Sequence, residues 1–403
     1  MTLGEYLNEK TTLLSRAGIP DAENEAWLCL MEGTGLSRSA LRFSLAKALA
    51  VGASAPGAAP DPAEGGASVT AGDSSSEDRI VEDGEKILLP ESVFTRLEEI
   101  FSRRAGHEPL AYIVGSAPFY DLSFSVRPGV LIPRFDTEIL VETALSALGF
   151  PQMLPGAPAV PQVRVCGAGP AGTNTRRSEA VPLAESASNT VTNAENQAFA
   201  RPVRILDLCT GSGCVGITIA HELQKKGVPF DLTMTDISPE AAAVAEENGR
   251  HILGERNWKV EVADLWPDRG CPMTSVGSEE RDSSSLPGVT RPNPMFDLIV
   301  SNPPYVTKSE MEELLPEVRD HEPAMALTDD GDGLLFYRRI VSGILEYLAP
   351  GGVLAVEHGA EQGPSVRDLM QQVLSGILTI QDYGGHDRVT CGARRKEAWN
   401  GEA

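Results

Sequence analysis

The chain has 403 residues, 41% of them hydrophobic, enough for roughly two to three domains with buried cores. It carries 34 basic against 57 acidic side chains, a net charge of −23, and a field of that sign repels phosphate backbones and disfavours a generic nucleic-acid binder. Six scattered cysteines without a Cys-x-x-Cys pair indicate neither a zinc ribbon nor a disulfide scaffold, and no metal is expected.

Residues 2–49 read as helical. Leu3, Tyr6, Leu7, Leu13 and Leu14 recur at helical spacing, as do Ala26, Leu30 and Met31, and Asp21 stands where it can cap the second helix. Residues 50–85 are dominated by Ala, Gly, Ser, Pro and acids and read as a low-complexity insert. A helix returns near 90–105 with Val93, Leu97, Ile100 and Phe101 on one face. We take 1–109 as an N-terminal helical domain. Residues 110–135 then read as a β-hairpin linker, alternating as in Phe124-Ser125-Val126-Arg127 with a turn at Pro128-Gly129.

Residues 136–395 form the remaining domain. A helix over 136–148 is followed by an insert at 151–200. Strands are predicted at Val203–Leu208, Leu232–Thr235, Val260–Val262, Phe296–Val300 and Val353–Glu357, with helical patterns between them and a further insert at 268–294. Strand–helix alternation of this kind implies an α/β fold with a mostly parallel sheet covered on both faces. The first residues, Met1 to Tyr6, lack the regions of a signal peptide, and no apolar run reaches the length of a membrane span. A soluble cytoplasmic protein with no membrane partner is expected.

The first strand leads into Asp207-Leu208-Cys209-Thr210-Gly211-Ser212-Gly213-Cys214-Val215-Gly216. Glycines in such a turn let the backbone approach a ligand at the sheet edge. Read literally, the spacing matches a dinucleotide fingerprint, with Asp236 as the ribose-binding acid. Asp207 argues against that, because a carboxylate at the strand end repels a pyrophosphate and favours a cationic ligand. S-adenosylmethionine carries a sulfonium and an ammonium and no phosphate. Asp236 is placed to accept from ribose hydroxyls, Asp264 from an adenine amino group, and Leu265 to cover the ring.

A later buried strand ends in Asn302-Pro303-Pro304-Tyr305. Two prolines remove two N–H donors and stiffen the turn. The Asn302 side-chain oxygen and the Pro303 carbonyl are then two acceptors for one NH₂ group, with Tyr305 a flat face beneath it. His358 and Glu357 read as structural, Cys214 as a packing residue, and Arg134 as an internal partner of Asp136 or Glu138.

Asn302-Pro303-Pro304-Tyr305 resembles the (D/N/S)-PP-(Y/F/W) motif of enzymes that methylate amino or amide nitrogens. Val130-Leu131-Ile132-Pro133-Arg134-Phe135-Asp136-Thr137-Glu138, His321-Glu322-Pro323-Ala324-Met325-Ala326-Leu327, Asp332-Gly333-Leu334 and Glu357-His358-Gly359 narrow the likeness. Together they resemble the HemK/PrmC family of release factor N5-glutamine methyltransferases. Cys209 stands where the family's first motif has Gly, and Phe135 where its Pro-Arg-Pro segment has the second Pro.

The resemblance implies a class I, Rossmann-like methyltransferase domain, a hairpin linker and a helical domain that recognises the release factor. It implies methyl transfer from S-adenosylmethionine to the glutamine of the Gly-Gly-Gln segment in class 1 peptide chain release factors. The net charge sets nucleic acid aside as a partner, and nothing in the sequence obliges a dimer, so a monomer is expected. Cofactor contacts fall on Asp207, Cys209, Thr210, Gly211, Ser212, Gly213, Asp236, Asp264, Leu265 and Asn302. Substrate contacts fall on Leu131, Asn302, Pro303, Pro304 and Tyr305, with Asn302, Pro303 and Tyr305 catalytic. The alternatives are a ribosomal-protein glutamine methyltransferase, a nucleic-acid amino methyltransferase, an NAD-dependent oxidoreductase and a non-catalytic release-factor-binding protein.

Overall fold

A computed structural model describes residues 1–52, 80–83, 85–150, 160–163, 201–268 and 295–395. In chain order the elements begin with α1 (Leu3–Arg16), α2 (Ala22–Thr34), α3 (Arg38–Ser44), β1 (Ala48–Gly52), β2 (Val81–Asp83), β3 (Lys86–Pro90), α4 (Glu91–Ala105) and α5 (Leu110–Val114). Then come β4 (Ser116–Phe119), β5 (Leu122–Ser125), α6 (Glu138–Ala147), β6 (Val203–Leu208), α7 (Cys214–Lys225), β7 (Phe230–Asp236), α8 (Pro239–Leu253), β8 (Trp258–Val262) and β9 (Phe296–Ser301). The chain finishes with α9 (Pro316–Arg319), α10 (Ala324–Leu327), α11 (Leu335–Tyr347), β10 (Leu348–Glu357), α12 (Gly363–Met370), β11 (Leu374–Gln381) and β12 (Asp387–Arg394).

Two compact units result. The first comprises Met1–Ser116 with Leu315–His321, and the second Ala117–Leu314 with Glu322–Ala403. The division thus falls after Ser116, inside the stretch read as a linker.

In the first unit, α1 starts with a capping box. Thr2 Oγ1 accepts from Glu5 N at 3.1 Å, and the Glu5 carboxylate accepts from Thr2 N at 2.8 Å. Leu3, Tyr6, Leu7 and Leu14 of α1 meet Leu97, Ile100 and Phe101 of α4 in one core. Asp21 sits in the left-handed region and makes no side-chain cap, contrary to expectation. The insert read at 50–85 is also bounded by structure. Gly52 ends β1 and Val81 begins β2, and both strands pair with β3. Such short segments carry too few residues to show a period, and pairing alone makes them strands. Most of that insert lies outside the described residues, as do nearly all of 151–200 and 268–294.

The second unit opens with the two-stranded sheet of β4 and β5. The turn is Tyr120-Asp121, with Tyr120 at φ 59, and not Pro128-Gly129. The main sheet runs β11-β12-β10-β9-β6-β7-β8. Strands β6 to β10 are parallel, and β12 is antiparallel to both β10 and β11. This is the mostly parallel sheet expected of the class I methyltransferase fold. The five expected strands are present, β6 with the expected bounds and the other four longer, while β11 and β12 were not anticipated.

Both faces are covered, which explains the nearly continuous apolar strands. Ile205, Leu298, Val300 and Val353 face one core with α6 and α7, whereas Leu206, Ile299, Leu354 and Val356 face a second with α11 and α12. From β6 the chain moves outward to β7 and β8, then returns to place β9 on the other side of β6. The reversal opens a crevice at the carboxyl ends of β6 and β9, and such switch points are where α/β sheets bind ligands. The glycine loop follows β6 and Asn302 follows β9, so both motifs emerge at that crevice.

Candidate active site

The crevice holds a pocket bordered by the glycine loop, Asp236 to Ser238, Asp264, Leu265 and Asn302. The loop is wound by alternate left-handed residues: Cys209 at φ 57, Gly211 at φ 57 and Gly213 at φ 84. A Cβ on Gly213 would lie 2.5 Å from Ile217 Cδ1, whereas one on Gly211 would meet nothing within 4 Å. Gly213 therefore serves close packing of the helix start, and Gly211 keeps its side of the loop open. Cys209 carries a side chain where a left-handed backbone costs about 1–2 kcal/mol.

Two carboxylates anchor this loop. Asp207 Oδ2 accepts from Thr210 Oγ1 at 2.6 Å and from Gly216 N at 3.0 Å. Burial pushes the Asp207 carboxyl up to about 7, against the pull of those two hydrogen bonds. Asp236 takes Gly211 N on Oδ2 and Ser238 N on Oδ1, each at 2.9 Å. Each oxygen of Asp236 thus already has one donor and keeps capacity for another. Burial raises this carboxyl as well. Ser238 caps α8 through Ala241 N at 3.2 Å, so Asp236 is free of that task.

Asp264 borders the cavity with its Oδ2 ion-paired to Arg339 at 2.8 Å, a partner the sequence did not reveal. Leu265 is buried at φ 65, and its carbonyl accepts from Thr235 Oγ1 at 2.6 Å. Ser212 Oγ borders the same space and is buried without a hydrogen-bond partner.

On the other side stands Asn302. Its Nδ2 donates to Thr137 Oγ1 at 3.2 Å, which leaves Oδ1 as the acceptor at the cavity. Pro304 and Leu131 also border the space, but Gly213, Pro303 and Tyr305 do not. The Tyr305 hydroxyl instead donates to Glu357 Oε1 at 3.3 Å. The ring expected to carry the substrate amide is thus held by the buried end of β10.

No family model matches the chain. Curated relatives do. A protein of Geobacter sulfurreducens is 34% identical over 311 residues, covering 76% of this chain and 81% of its own. One from Pasteurella multocida is 31% identical over 313 residues, covering 76% and 83%. One from Fusobacterium nucleatum is 34% identical over 306 residues, covering 76% of this chain and 65%, just under two thirds, of its own length. Each is named release factor glutamine methyltransferase. This chain belongs to that family. A solved ribosomal protein L11 methylase from Lactobacillus delbrueckii is similar over 50% of this chain and 74% of its own, at 18% identity and a TM-score of 0.29. The fold rests on strand order rather than on that likeness.

Several cavity residues of this family member escaped the sequence reading. Ile132, Pro133, Arg134 and Thr137 border the cavity on one side, and Pro323, Met325, Ala326 and Phe336 on another. Glu322, with its side chain 1% exposed, joins the first two of these segments. Its Oε2 accepts from Ile132 N at 3.1 Å and its Oε1 pairs with Arg134. Arg134 therefore pairs with Glu322 and not with Asp136 or Glu138. Asp136 is instead 3.3 Å from Arg388 of β12. Only the Ile-Pro-Arg and His-Glu-Pro stretches signalled this strap, and neither names its partner.

The remaining candidates are structural. His358 is buried, with its ring nitrogens 2.9 Å from Gly359 O and from Thr390 Oγ1, and burial holds its pKa down. Burial pushes the Cys214 thiol up to about 12, which makes it a poor nucleophile.

Proposed function

We propose that the protein transfers the methyl group of S-adenosylmethionine to the side-chain amide nitrogen of the Gly-Gly-Gln glutamine in class 1 peptide chain release factors. The observation that carries this reading is Asn302, whose Nδ2 is spent on Thr137 so that its oxygen is the atom left for a substrate amide. An acceptor of that kind, beside a cavity built around carboxylates, suits a neutral NH₂ group and a cationic donor.

The cavity fits S-adenosylmethionine. Asp236 offers two oxygens to the ribose hydroxyls, Asp207 faces the cationic end, and the unpartnered Ser212 Oγ has a hydrogen bond to give or take. Leu265, Ile237 and Phe336 supply apolar surface for the adenine. When bound, the cofactor supplies an electrophilic methyl on sulfur.

The protein's part is positioning. An amide nitrogen is a weak nucleophile because its lone pair is delocalised. Asn302 Oδ1 accepts one of its hydrogens and fixes its direction of attack. The same acceptor stabilises the positive charge that develops on nitrogen. The surplus proton is then acidic enough to leave to water without a strong base. Leu131 and Pro304 flank the entering side chain, and the helical unit engages the body of the release factor. The enzyme acts as a cytoplasmic monomer and needs no nucleic acid.

Mass spectrometry of unmethylated release factor incubated with this protein and S-adenosylmethionine tests the reading. One added methyl on the Gly-Gly-Gln glutamine, lost with Asn302→Ala, is expected. Cofactor binding without that methyl would overturn the substrate and direct the search to ribosomal proteins.

A further inference from the structure

We infer that Arg339 is a positioning residue that makes the cofactor site selective for a 6-amino purine over a 6-oxo one, an inference that rests on the S-adenosylmethionine reading above. It acts through Asp264. A carboxylate can only accept hydrogen bonds. Adenine offers an NH₂ group at its 6-position, whereas the base of inosine offers a carbonyl oxygen there, which an acceptor repels. Asp264 tells the two apart only while it faces the base.

Burial does not hold it there. The Asp264 side chain is 55% exposed at the edge of the pocket, and a free carboxylate in that place turns to water. Arg339 supplies the restraint. Its Nη2 stands 2.8 Å from Asp264 Oδ2, so the ion pair occupies one oxygen and leaves Oδ1 for a ligand. The guanidinium is held in turn by the Phe336 ring, one turn earlier on α11, whose centroid is 5.9 Å from its carbon. Phe336 borders the same pocket as Asp264 and Leu265. The ion pair thus runs from the end of β8 to α11 beside the surface proposed for the adenine.

Both ends of this span are fixed without Arg339. The Ala263 N–H donates to the Asp236 carbonyl at 2.9 Å, and the Leu265 carbonyl accepts from Thr235 Oγ1 at 2.6 Å, so the backbone on each side of Asp264 is tied to β7. Trp266 stacks on Tyr347 of α11, with ring centroids 4.4 Å apart and planes 10° from parallel. A Cβ on Gly343 of α11 would lie 2.6 Å from Trp266 Nε1, so the indole packs close to the helix. What the Arg339 side chain adds is the direction of one carboxylate. An ion pair this exposed contributes little to stability, and its use lies in its place at the pocket edge.

Calorimetry of the full-length protein with S-adenosylhomocysteine and S-inosylhomocysteine tests this. We expect wild type to bind the adenosyl ligand about 10- to 100-fold more tightly, the range for one hydrogen bond to a charged group. Arg339→Met keeps an unbranched side chain beside Phe336 and loses the charge. It should narrow the ratio to within about threefold, mainly by weakening the adenosyl ligand, at unchanged thermal stability. Arg339→Lys should restore most of the ratio. Asp264→Asn, which offers a donor as well as an acceptor, should narrow the ratio as much, and adding Arg339→Met to it should narrow it no further. A wild-type ratio near one overturns the inference. So does a ratio that Arg339→Met leaves unchanged while both affinities fall together, the mark of a purely structural role. Failure of wild type to bind either ligand would refute the cofactor reading and this inference with it. Selective binding that depends on Arg339, in a protein that leaves release factor unmodified, would refute that substrate and keep the role of Arg339.

Discussion

Leu208 and Ser301 are register partners in the parallel pair β6 and β9, and Ser301 Oγ donates to the Leu208 carbonyl at 2.9 Å across a sequence separation of 93 residues. The next residues along, Cys209 and Asn302, therefore begin their loops side by side. The glycine turn that borders the proposed cofactor site and the Asn-Pro-Pro-Tyr turn that carries the proposed amide acceptor are held in fixed relation by one strand pair. Central strands buried on both faces are the most rigid part of an α/β domain, so the distance between donor and acceptor sites is set by the least mobile element available.

Asn302→Ala removes the oxygen at the cavity and leaves Thr137 without its donor. We expect kcat to fall by about 10²–10³-fold, the usual effect of losing one preorganised hydrogen-bonding group in an active site. Cofactor affinity should change by only a few-fold, because Asp207, Asp236 and the glycine loop are untouched. Single-turnover kinetics with calorimetric binding checks this. A parallel collapse of both would make Asn302 a structural residue.

Gly333 buttresses the same turn from outside. It sits at φ 73, and a Cβ there would lie 2.3 Å from the Tyr305 carbonyl oxygen and 2.5 Å from Gln362 Nε2. Gln362 Nε2 in turn donates to that Tyr305 carbonyl at 2.9 Å. Gly333→Ala must move backbone, and with the left-handed φ it should cost about 2–3 kcal/mol of stability. It should also slow turnover by displacing Tyr305. Chemical denaturation and steady-state kinetics together test this; wild-type stability would show that the loop yields freely.

The two loops at the crevice were easier to read in the sequence than the contacts that support them. The glycine loop and Asn302 were legible because each is a short run of unusual residues at the end of an apolar strand, where fold physics places ligands. Strand β11 was not, since Gly376 and the adjacent Ile377-Leu378 break its alternation at a register shift that pairing with β12 spans. The Tyr120-Asp121 turn was hidden because Tyr120 is an uncommon residue at positive φ. The Glu322–Arg134 and Glu357–Tyr305 contacts join residues far apart in the chain, and no local spacing announces such pairs.

Glu322→Ala should loosen the cavity wall. It leaves the buried Ile132 N–H without an acceptor and the half-exposed Arg134 without its partner. Discounting the guanidinium for solvent screening, the loss is about 2 kcal/mol, most of it from the orphaned N–H. The segments carrying Leu131 and Met325 would separate, and cofactor affinity should drop about tenfold. Glu322→Gln keeps an acceptor for Ile132 and should lose less of both. Equal effects of the two variants on cofactor affinity would remove the strap from the account.

In the site proposed for S-adenosylmethionine, Asp207 should make binding pH-dependent, and the sign follows from its shift. The folded carboxyl titrates at about 7, above its ordinary 3.8, because burial penalises the charge. Folding therefore favours the protonated form. Its contribution to the stability of the free protein is full below pH 4 and is lost as pH rises toward 7. A cationic ligand beside it favours the carboxylate instead, so binding expels a proton in that window. Affinity for S-adenosylmethionine should then rise as pH is raised toward 7, by at most about tenfold per pH unit for one proton, and level off above it. Asp207→Asn should flatten both the affinity profile and the decline of free-protein stability over the same range. Calorimetry in buffers of different ionisation enthalpy counts the proton directly. A wild-type profile that is flat, or that survives in Asp207→Asn, would place the linked proton elsewhere.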